Sequence, residues 1–361
     1  MSEETNLESI RARIDALDDQ ILQLINERAR AAEDVARIKR DAGESGDFYR
    51  PAREVSVLKR IRDNNPGPLK NEDVTRLFRE IMSACLALQQ PLKVAFLGPE
   101  GTYTQEATVK QFGHGAGMLP LESIDSVFRE VEAGGAHYGV VPVENSTEGV
   151  VTHTLDRFMN SPLQIVGELE LPIHHNLCAA GDSLEGIARV YSHQQGLAQC
   201  RRWLDVNLPQ AERVAVSSTA EAARRAAEEP DSAAVASDAA AERYGLNVLK
   251  DNIQDGAVNT TRFLVLGQHS PPPTGEDKTS IVVSRANKPG GLAGLLAPLA
   301  RYGLNMTRVE SRPSHEGMWQ YVFFIDLLGH VEEPTVKRAL DEMQQLASLL
   351  RVLGSYPRAA D

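Results

Sequence analysis

The sequence predicts a multidomain chain in which an all-α module, an α/β module and a small α+β module follow one another. Three observations carry that reading. Residues 7–41 contain no Gly or Pro and place apolar residues at heptad spacing. From residue 93 to residue 268, short apolar runs alternate with helical stretches. Beyond Ser270-Pro271-Pro272-Pro273, the pattern reads strand, helix, strand, strand, helix, strand.

Composition narrows the functional classes. The 361 residues are ample for two or three domains. A net charge of -12 argues against a nucleic-acid partner, because phosphate contacts need clustered Lys and Arg. The three cysteines, Cys85, Cys178 and Cys200, lie far apart without Cys-x-x-Cys spacing, which excludes a zinc ribbon and a disulfide framework and points to a reducing cytoplasm. The first 14 residues are acidic and amphipathic rather than a signal peptide, and no later run is apolar enough to span a bilayer. The expectation is a cytoplasmic protein with no membrane and no nucleic-acid partner.

In the all-α module, Leu7, Ile10, Ile14, Leu17, Ile21, Leu24, Ala31, Val35 and Ile38 form a heptad seam. A helix of that length spans roughly 50 Å, more than a domain of this size covers alone. A partner helix is implied, most simply from a second copy of the chain. Arg28 occupies a seam position, and Arg11 and Lys39 flank it. Arg11 or Lys39 alone reads equally well as a charge snorkelling past the seam. An unpaired guanidinium in an apolar stripe is costly unless an anion meets it, so three cations on one groove suggest a dicarboxylate ligand. After a glycine-containing break at residues 43–46, Pro51 opens a second helix carrying Arg53 and Glu54. A third begins after Asn71 as N-cap, with Val74, Leu77, Phe78, Ile81, Cys85 and Leu88 on one face and Gln89 beside it.

Residues 7–90 thereby resemble the all-helical chorismate mutase module, which forms intertwined dimers. The resemblance implies that Arg11 (from the other subunit), Arg28 and Arg53 hold the two carboxylates of chorismate. Lys39 and Gln89 would donate to the ether oxygen, and Glu54 would accept from the ring hydroxyl. The rearrangement to prephenate is pericyclic, so it needs charge complementarity and conformation but no nucleophile. Arg50 stands where better-known members carry an acidic residue, and Cys85 replaces a serine donor in the substrate site.

In the α/β module, residues 94–97, 138–143, 163–166, 190–192, 214–216 and 233–236 read as strands. Residues 105–112, 124–133, 196–204 and 219–228 read as helices. The alternation predicts a mostly parallel sheet covered on both faces, with its site at the carboxyl ends of strands. Those ends carry Gly98-Pro99-Glu100-Gly101-Thr102-Tyr103-Thr104, then Pro142, Glu144, Asn145, Ser146, Thr147 and Gly149. Ser192, His193, Gln194 and Gln199 follow, then Ser217, Ser218 and Thr219, and finally Asn259-Thr260-Thr261-Arg262-Phe263. The first loop feeds a helix N-terminus and suits a carboxylate through free N–H groups, but it lacks the Gly-Lys-Ser/Thr ending of a phosphate loop. Taken singly, Ser217 to Thr219 also read as a helix cap and His193 as a ring bonded to backbone. No grouping has metal-ligand spacing, and His174 and His175, read in a strand, would point to opposite faces.

As an ordered set over residues 93–268, these motifs resemble prephenate dehydratase. The resemblance implies two α/β lobes around a substrate cleft and no cofactor. It makes Thr261 the donor to the departing ring hydroxyl, with Glu144, Asn145, Ser192 and Gln199 lining the site and Arg262 close by to bind substrate.

Residues 270–277 read as a linker on composition. Strands at 280–284, 306–310 and 321–327, helices at 292–302 and 334–350, and a closing strand near Val352 predict a ferredoxin-like sandwich over residues 279–361. Gly290-Gly291-Leu292-Ala293 and Glu310-Ser311-Arg312-Pro313 resemble the amino-acid-sensing ACT domain, which implies L-phenylalanine binding. Glycines before a helix also read as caps, and many such domains only dimerise.

The resemblances together imply a chain of three domains, 1–90, 93–268 and 279–361, at least dimeric and free of metal and cofactor. It would convert chorismate to prephenate and prephenate to phenylpyruvate under inhibition by L-phenylalanine, and a version ending near Gln268 would escape that inhibition. Two other readings stand beside it: an arogenate dehydratase, which differs by an amino group on the substrate, and a non-catalytic amino-acid-responsive regulator.

Overall fold

A computed structural model describes residues 7–42, 50–256, 258–286, 288–314 and 321–359. The break expected at residues 43–46 lies outside the described residues. The chain divides into a helical unit and a larger unit that holds the sheets.

The helical unit is built on α1 (Leu7–Asp41), the part of α2 (Pro51–Asp63) from Val57 onward, and α3 (Asn71–Gln89), while Pro51–Ser56 count with the larger unit. Along α1 the heptad seam faces outward: Ile10, Ile14, Leu17, Ile21 and Leu24 are 44% to 64% exposed. Asn71 does not cap α3. Lys70 holds the cap position without a side-chain bond, and the Asn71 side-chain oxygen instead accepts from Asn65 Nδ2 at 2.8 Å.

The larger unit opens with β1 (Lys93–Leu97), α4 (Tyr103–Phe112), β2 (Gly117–Leu121), α5 (Ile124–Glu132), β3 (Tyr138–Asn145), β4 (Gly149–Val150), α6 (Thr152–Phe158) and β5 (Gln164–Pro172). A second lobe follows, with β6 (Asn176–Ala179), β7 (Arg189–His193), α7 (Gln194–Gln199), α8 (Arg201–Asn207), β8 (Glu212–Val216), α9 (Thr219–Glu228), β9 (Ser232–Ala236), α10 (Asp238–Tyr244) and β10 (Asn247–Lys250). The chain then returns to the first lobe as β11 (Thr260–Gly267). The sheet orders are β2-β1-β3-β11-β5, with β4 against β3, and β10-β6-β9-β7-β8.

The expectation of a mostly parallel sheet is corrected on this point. β11 runs antiparallel to both β3 and β5, and β6 antiparallel to β9 and β10, while β1 with β3 and β7 with β8 and β9 are parallel. A parallel pair needs a crossover of a dozen or more residues, usually a helix. β11 re-enters the first sheet only after the chain has run through β6 to β10 of the other lobe, not through a single crossover helix. The helix expected over residues 196–204 also breaks, at Cys200. The Asp255 carboxylate accepts from the backbone N–H groups of Arg202 and Trp203 there and starts α8 afresh.

The third domain consists of β12 (Asp277–Ser284), α11 (Gly291–Arg301), β13 (Met306–Pro313), β14 (Tyr321–Leu328), α12 (Pro334–Leu346) and β15 (Leu349–Pro357), in the order β13-β14-β12-β15. The helix expected to reach residue 350 stops at Leu346, because the Ser348 N–H bonds the Ser284 carbonyl at 2.8 Å and opens the β12–β15 ladder. Successive residues of β12 serve two cores, as strand alternation requires. Ile281 and Val283 pack with Leu295, Leu299, Val336 and Met343 of the helices. Val282 joins Val322, Phe324, Leu353 and Tyr356 in one cluster with Leu155, Phe158, Ile165 and Leu264 of the first lobe. At Gly354 a Cβ would stand 2.1 Å from the Ile165 carbonyl oxygen, so only glycine lets β15 lie this close to β5. The stretch read as a linker is pinned, with Ser270 Oγ donating to Gln164 Oε1 at 2.6 Å and Pro271 buried.

Candidate active site

The candidate site grows from the pairing of β3 with β11, where Asn145 stands opposite Thr261 and Glu144 opposite Arg262. Neighbouring strand residues face opposite sides of a sheet, so the two pairs look in different directions. The register slips directly after Arg262, where Phe263 opposes Pro142, a bulge of the kind that re-aims side chains beside a site.

Asn145 and Thr261 face a cleft of about 1010 Å³ between the lobes. Its walls include Gly98 to Glu100 and Thr102 to Thr104, Gln195 to Gln199 in part, Ser217 to Thr219, and Asn259. Asn145 Nδ2 donates to Thr261 Oγ1 and to Asn259 Oδ1, each at 2.8 Å. Asn259 Nδ2 donates to Gln199 Oε1 at 2.8 Å. Thr261 thus accepts through its oxygen, and its own O–H is left as a donor.

The cleft's charge differs from expectation. Arg243 is the one Lys or Arg lining it among the described residues, and Arg243 is paired with Glu100. The starts of α4 and α9 border the cleft with N–H groups and hydroxyls of the kind that can hold an anion. Ser218 does act as a cap, accepting from the Glu221 N–H at 3.0 Å, while Ser217 and Thr219 also line the wall.

Three expected residues lie elsewhere. Arg262, expected near substrate, sends its guanidinium away from the cleft. It contacts Glu168 at 2.7 Å and Asp326 of the third domain at 2.7 Å, and its side chain is 11% exposed. Glu168 also meets Lys278 Nζ at 2.7 Å, and Ser280 Oγ donates to Asp326 at 2.6 Å. Burial opposes ionisation of Asp326, but Arg262, Ser280 and Arg308 outweigh it and hold the carboxyl below its usual range. Glu144 pairs with Arg308 Nε of β13 at 3.0 Å. Ser192 is fully buried and donates to the Val235 carbonyl at 2.8 Å. The sign that could have sorted these is strand parity: Arg262 and Glu144 each sit one place from a cleft residue.

Sequence reasoning placed Tyr103 and Asn259 in the strand-end stretches without a role of their own and did not bring Glu148 or His175 to the site, though all four line the cleft. His174 and His175 fall between β5 and β6 rather than within a strand. His175 is buried, and its Nε2 lies 2.8 Å from Gln199 Oε1.

In the helical region, Arg11 on α1 and Arg53 on α2 are exposed, Arg28, Lys39, Glu54 and Gln89 are half-buried, and Cys85 is buried. Arg50 occupies the N-cap position of α2. In the third domain Gly290 caps α11 in the left-handed region at φ 72°, Gly291 is buried, and Leu292 and Ala293 are exposed. Glu310, Ser311, Arg312 and Pro313 end the edge strand β13, and Arg312 is not free for a ligand, since it grips Asp156 of α6 at 2.9 Å. Among the described residues, no cluster of His, Cys, Asp and Glu is placed to hold a metal ion, and no helix is long and apolar enough to cross a membrane.

A three-helix module, a two-lobed α/β cleft lined by a neutral hydroxyl, and a βαββαβ domain define a multidomain protein with a cleft for a small molecule. Family patterns match in the same order: chorismate mutase type II over residues 10–90, prephenate dehydratase over 94–271 and the ACT domain over 279–343. A bifunctional chorismate mutase/prephenate dehydratase of Pseudomonas aeruginosa is 55% identical over 99% of this chain and 100% of its own length. The like-named protein of Neisseria gonorrhoeae is 51% identical over 96% of this chain and 95% of its own. Among solved structures, prephenate dehydratase from Arthrobacter aurescens in complex with L-Phe is 38% identical, with a TM-score of 0.69, covering 74% of this chain and 90% of that one. The chain belongs to the bifunctional chorismate mutase/prephenate dehydratase family.

Proposed function

We propose that this chain converts chorismate to prephenate in its helical module and prephenate to phenylpyruvate in the cleft, and that L-phenylalanine inhibits it through the ACT domain. The observation that carries the second activity is Thr261, which lines the cleft and whose Oγ1 accepts from Asn145, leaving its own O–H to donate. Prephenate loses its ring carboxylate as carbon dioxide and its ring hydroxyl as hydroxide, which takes a proton from solvent to become water, and the aromatic ring so formed drives the reaction. A threonine hydroxyl is too weak an acid to give up its proton outright, so Thr261 donates a hydrogen bond to the departing hydroxyl. N–H groups at the starts of α4 and α9 hold the carboxylates, and the scarcity of free cations leaves the ring carboxylate ready to depart.

For the first activity, Arg11, Arg28 and Arg53 bind the carboxylates of chorismate, Lys39 and Gln89 stabilise the ether oxygen, and Glu54 takes the ring hydroxyl. The exposed α1 seam is covered by a second copy of the chain, which makes the protein at least a dimer. The free edge of β13 suits a second contact between copies. The inhibitor site is formed by Gly290 to Ala293 with Glu310, Ser311 and Pro313 at the end of β13, while Arg312 stays engaged by Asp156. The protein works in the cytoplasm.

The test supplies chorismate to the purified protein and follows prephenate and phenylpyruvate. The unaltered chain should accumulate phenylpyruvate, and Thr261→Ala should stop at prephenate with phenylpyruvate formation reduced about a hundredfold or more. Equal loss of both steps, or unchanged phenylpyruvate formation, refutes the role of Thr261.

A further inference from the structure

We propose that His175, as a neutral imidazole whose proton is held on Nε2 by Gln199, is a positioning residue for Thr261 and acts through Gln199, Asn259 and Asn145. The inference rests on the reading of Thr261 as the donor to the departing hydroxyl, and concerns what fixes the direction of that donor.

Each amide along the path has one orientation. Asn145 Oδ1 accepts the backbone N–H groups of Thr147 at 2.9 Å and Glu148 at 3.0 Å, so its amino group must face Asn259 and Thr261. Asn259 then has only its own amino group to offer Gln199 Oε1. Gln199 Nε2 donates to Glu148 Oε1 at 3.2 Å, which confirms that Oε1 is the end turned toward Asn259 and His175. An acceptor at 2.8 Å requires His175 to carry its proton on Nε2. Nδ1 is then the acceptor, and the Tyr103 hydroxyl lies 3.0 Å from it. The same hydroxyl is 2.6 Å from the His174 carbonyl, so one proton is shared between two acceptors. Burial and its partners agree with this assignment. Desolvation pulls the His175 ring below its usual pKa, against the Gln199 hydrogen bond and with the charge of His174, and burial beside Glu106 keeps the Tyr103 phenol protonated.

The consequence is mechanical. If Gln199 rotated by half a turn about its amide, two amino groups would meet at Asn259. The His175 N–H opposes that rotation, and through it the Asn145 amino group stays on Thr261 Oγ1. A loosened Thr261 still admits substrate but places its hydrogen bond poorly where charge develops, so the loss belongs to kcat rather than KM.

The experiment measures kcat and KM with prephenate on the full chain for His175→Leu, His175→Gln, Tyr103→Phe, Thr261→Ala and the double variant Thr261→Ala/His175→Leu. His175→Leu should lower kcat about tenfold or more with KM within about twofold, and His175→Gln, whose amide nitrogen reaches the place of Nε2, should recover most of it. Tyr103→Phe should lower kcat by about threefold. Chorismate consumption should be unchanged throughout. In the Thr261→Ala background, His175→Leu should cost nothing more. Unchanged kcat in His175→Leu, failure of Gln to rescue, or an equal loss in both backgrounds overturns the inference. If His175→Leu does not fold, His175→Gln and Tyr103→Phe decide, and full kcat in Tyr103→Phe removes Tyr103 from the path. Full activity in Thr261→Ala would bring down the underlying reading, whereas an inactive Thr261→Ala beside a fully active His175→Leu would bring down this inference alone.

Discussion

Arg262 and Thr261 are chain neighbours with opposite duties, and the difference comes from the sheet rather than from the residue types. Thr261 opens onto the cleft, whereas Arg262 closes a buried set of charges with Glu168, Asp326 and Lys278. Arg262→Met leaves Asp326 buried with only Ser280 and more distant cations, and removal of one member of a buried pair costs about 3–5 kcal/mol. The pH dependence has a definite sign. In the native chain the Asp326 pKa is depressed, so its contribution is complete above the unfolded value and is lost as pH falls through the depressed one. In Arg262→Met the depressing partner is gone, and protonation of Asp326 relieves the penalty. Thermal melts of the two proteins should therefore differ most near pH 7 and draw together only as pH falls below the ordinary Asp value of about 3.9; a gap that is constant with pH contradicts the ion-pair account.

At the scale of elements, periodic pattern decided what could be read from the sequence. The 35 residues of α1 were legible to the residue because heptad spacing is local information. α9 and β7 to β9 were legible for the same reason, being bounded runs of one period. β6 and β10 were not, because four-residue strands carry too little alternation, and their antiparallel pairing depends on a chain that changes lobes. Asn145 and Thr261 could be picked out by motif, but the direction of Glu144 and Arg262 depends on a bulge and on a domain far along the chain. The exposed seam of α1 carries its own test. Ile21, 54% exposed at the middle of the helix, touches little within the chain, so Ile21→Asp should spare the dehydratase. In a paired helix the same change buries a charge at the seam and costs several kcal/mol. Sedimentation or light scattering should show a shift toward monomer together with loss of chorismate consumption; a dimer that retains its mutase rate places the partner surface elsewhere.

Across the whole larger unit, the third domain is joined to the dehydratase by a common core as well as by ion pairs. Val282, Val322, Phe324, Leu353 and Tyr356 share a cluster with Leu155, Phe158, Ile165 and Leu264, and Arg308 and Arg312 grip Glu144 and Asp156. The sequence suggested a detachable sensor, because Pro-rich composition marks a linker and gives no hint that Ser270 and Pro271 are packed down. Ending the chain near Gln268 would uncover four large apolar side chains of the first lobe, each worth about 1.5–3 kcal/mol on burial. The total, about 6–12 kcal/mol, matches the whole stability of an ordinary domain. The same cut removes Lys278 and Asp326 and leaves Arg262 with Glu168 alone. Such a fragment should aggregate or bind a hydrophobic dye, with its dehydratase activity lost while chorismate is still consumed. Its indifference to L-phenylalanine would then report lost folding rather than lost sensing. A substitution at Leu292, exposed at the start of α11, keeps the shared core intact and is the cleaner probe: it should raise the L-phenylalanine concentration needed for half-inhibition several-fold without changing kcat. A monodisperse, active fragment ending near Gln268 would show that the first lobe does not depend on the domain packed against it.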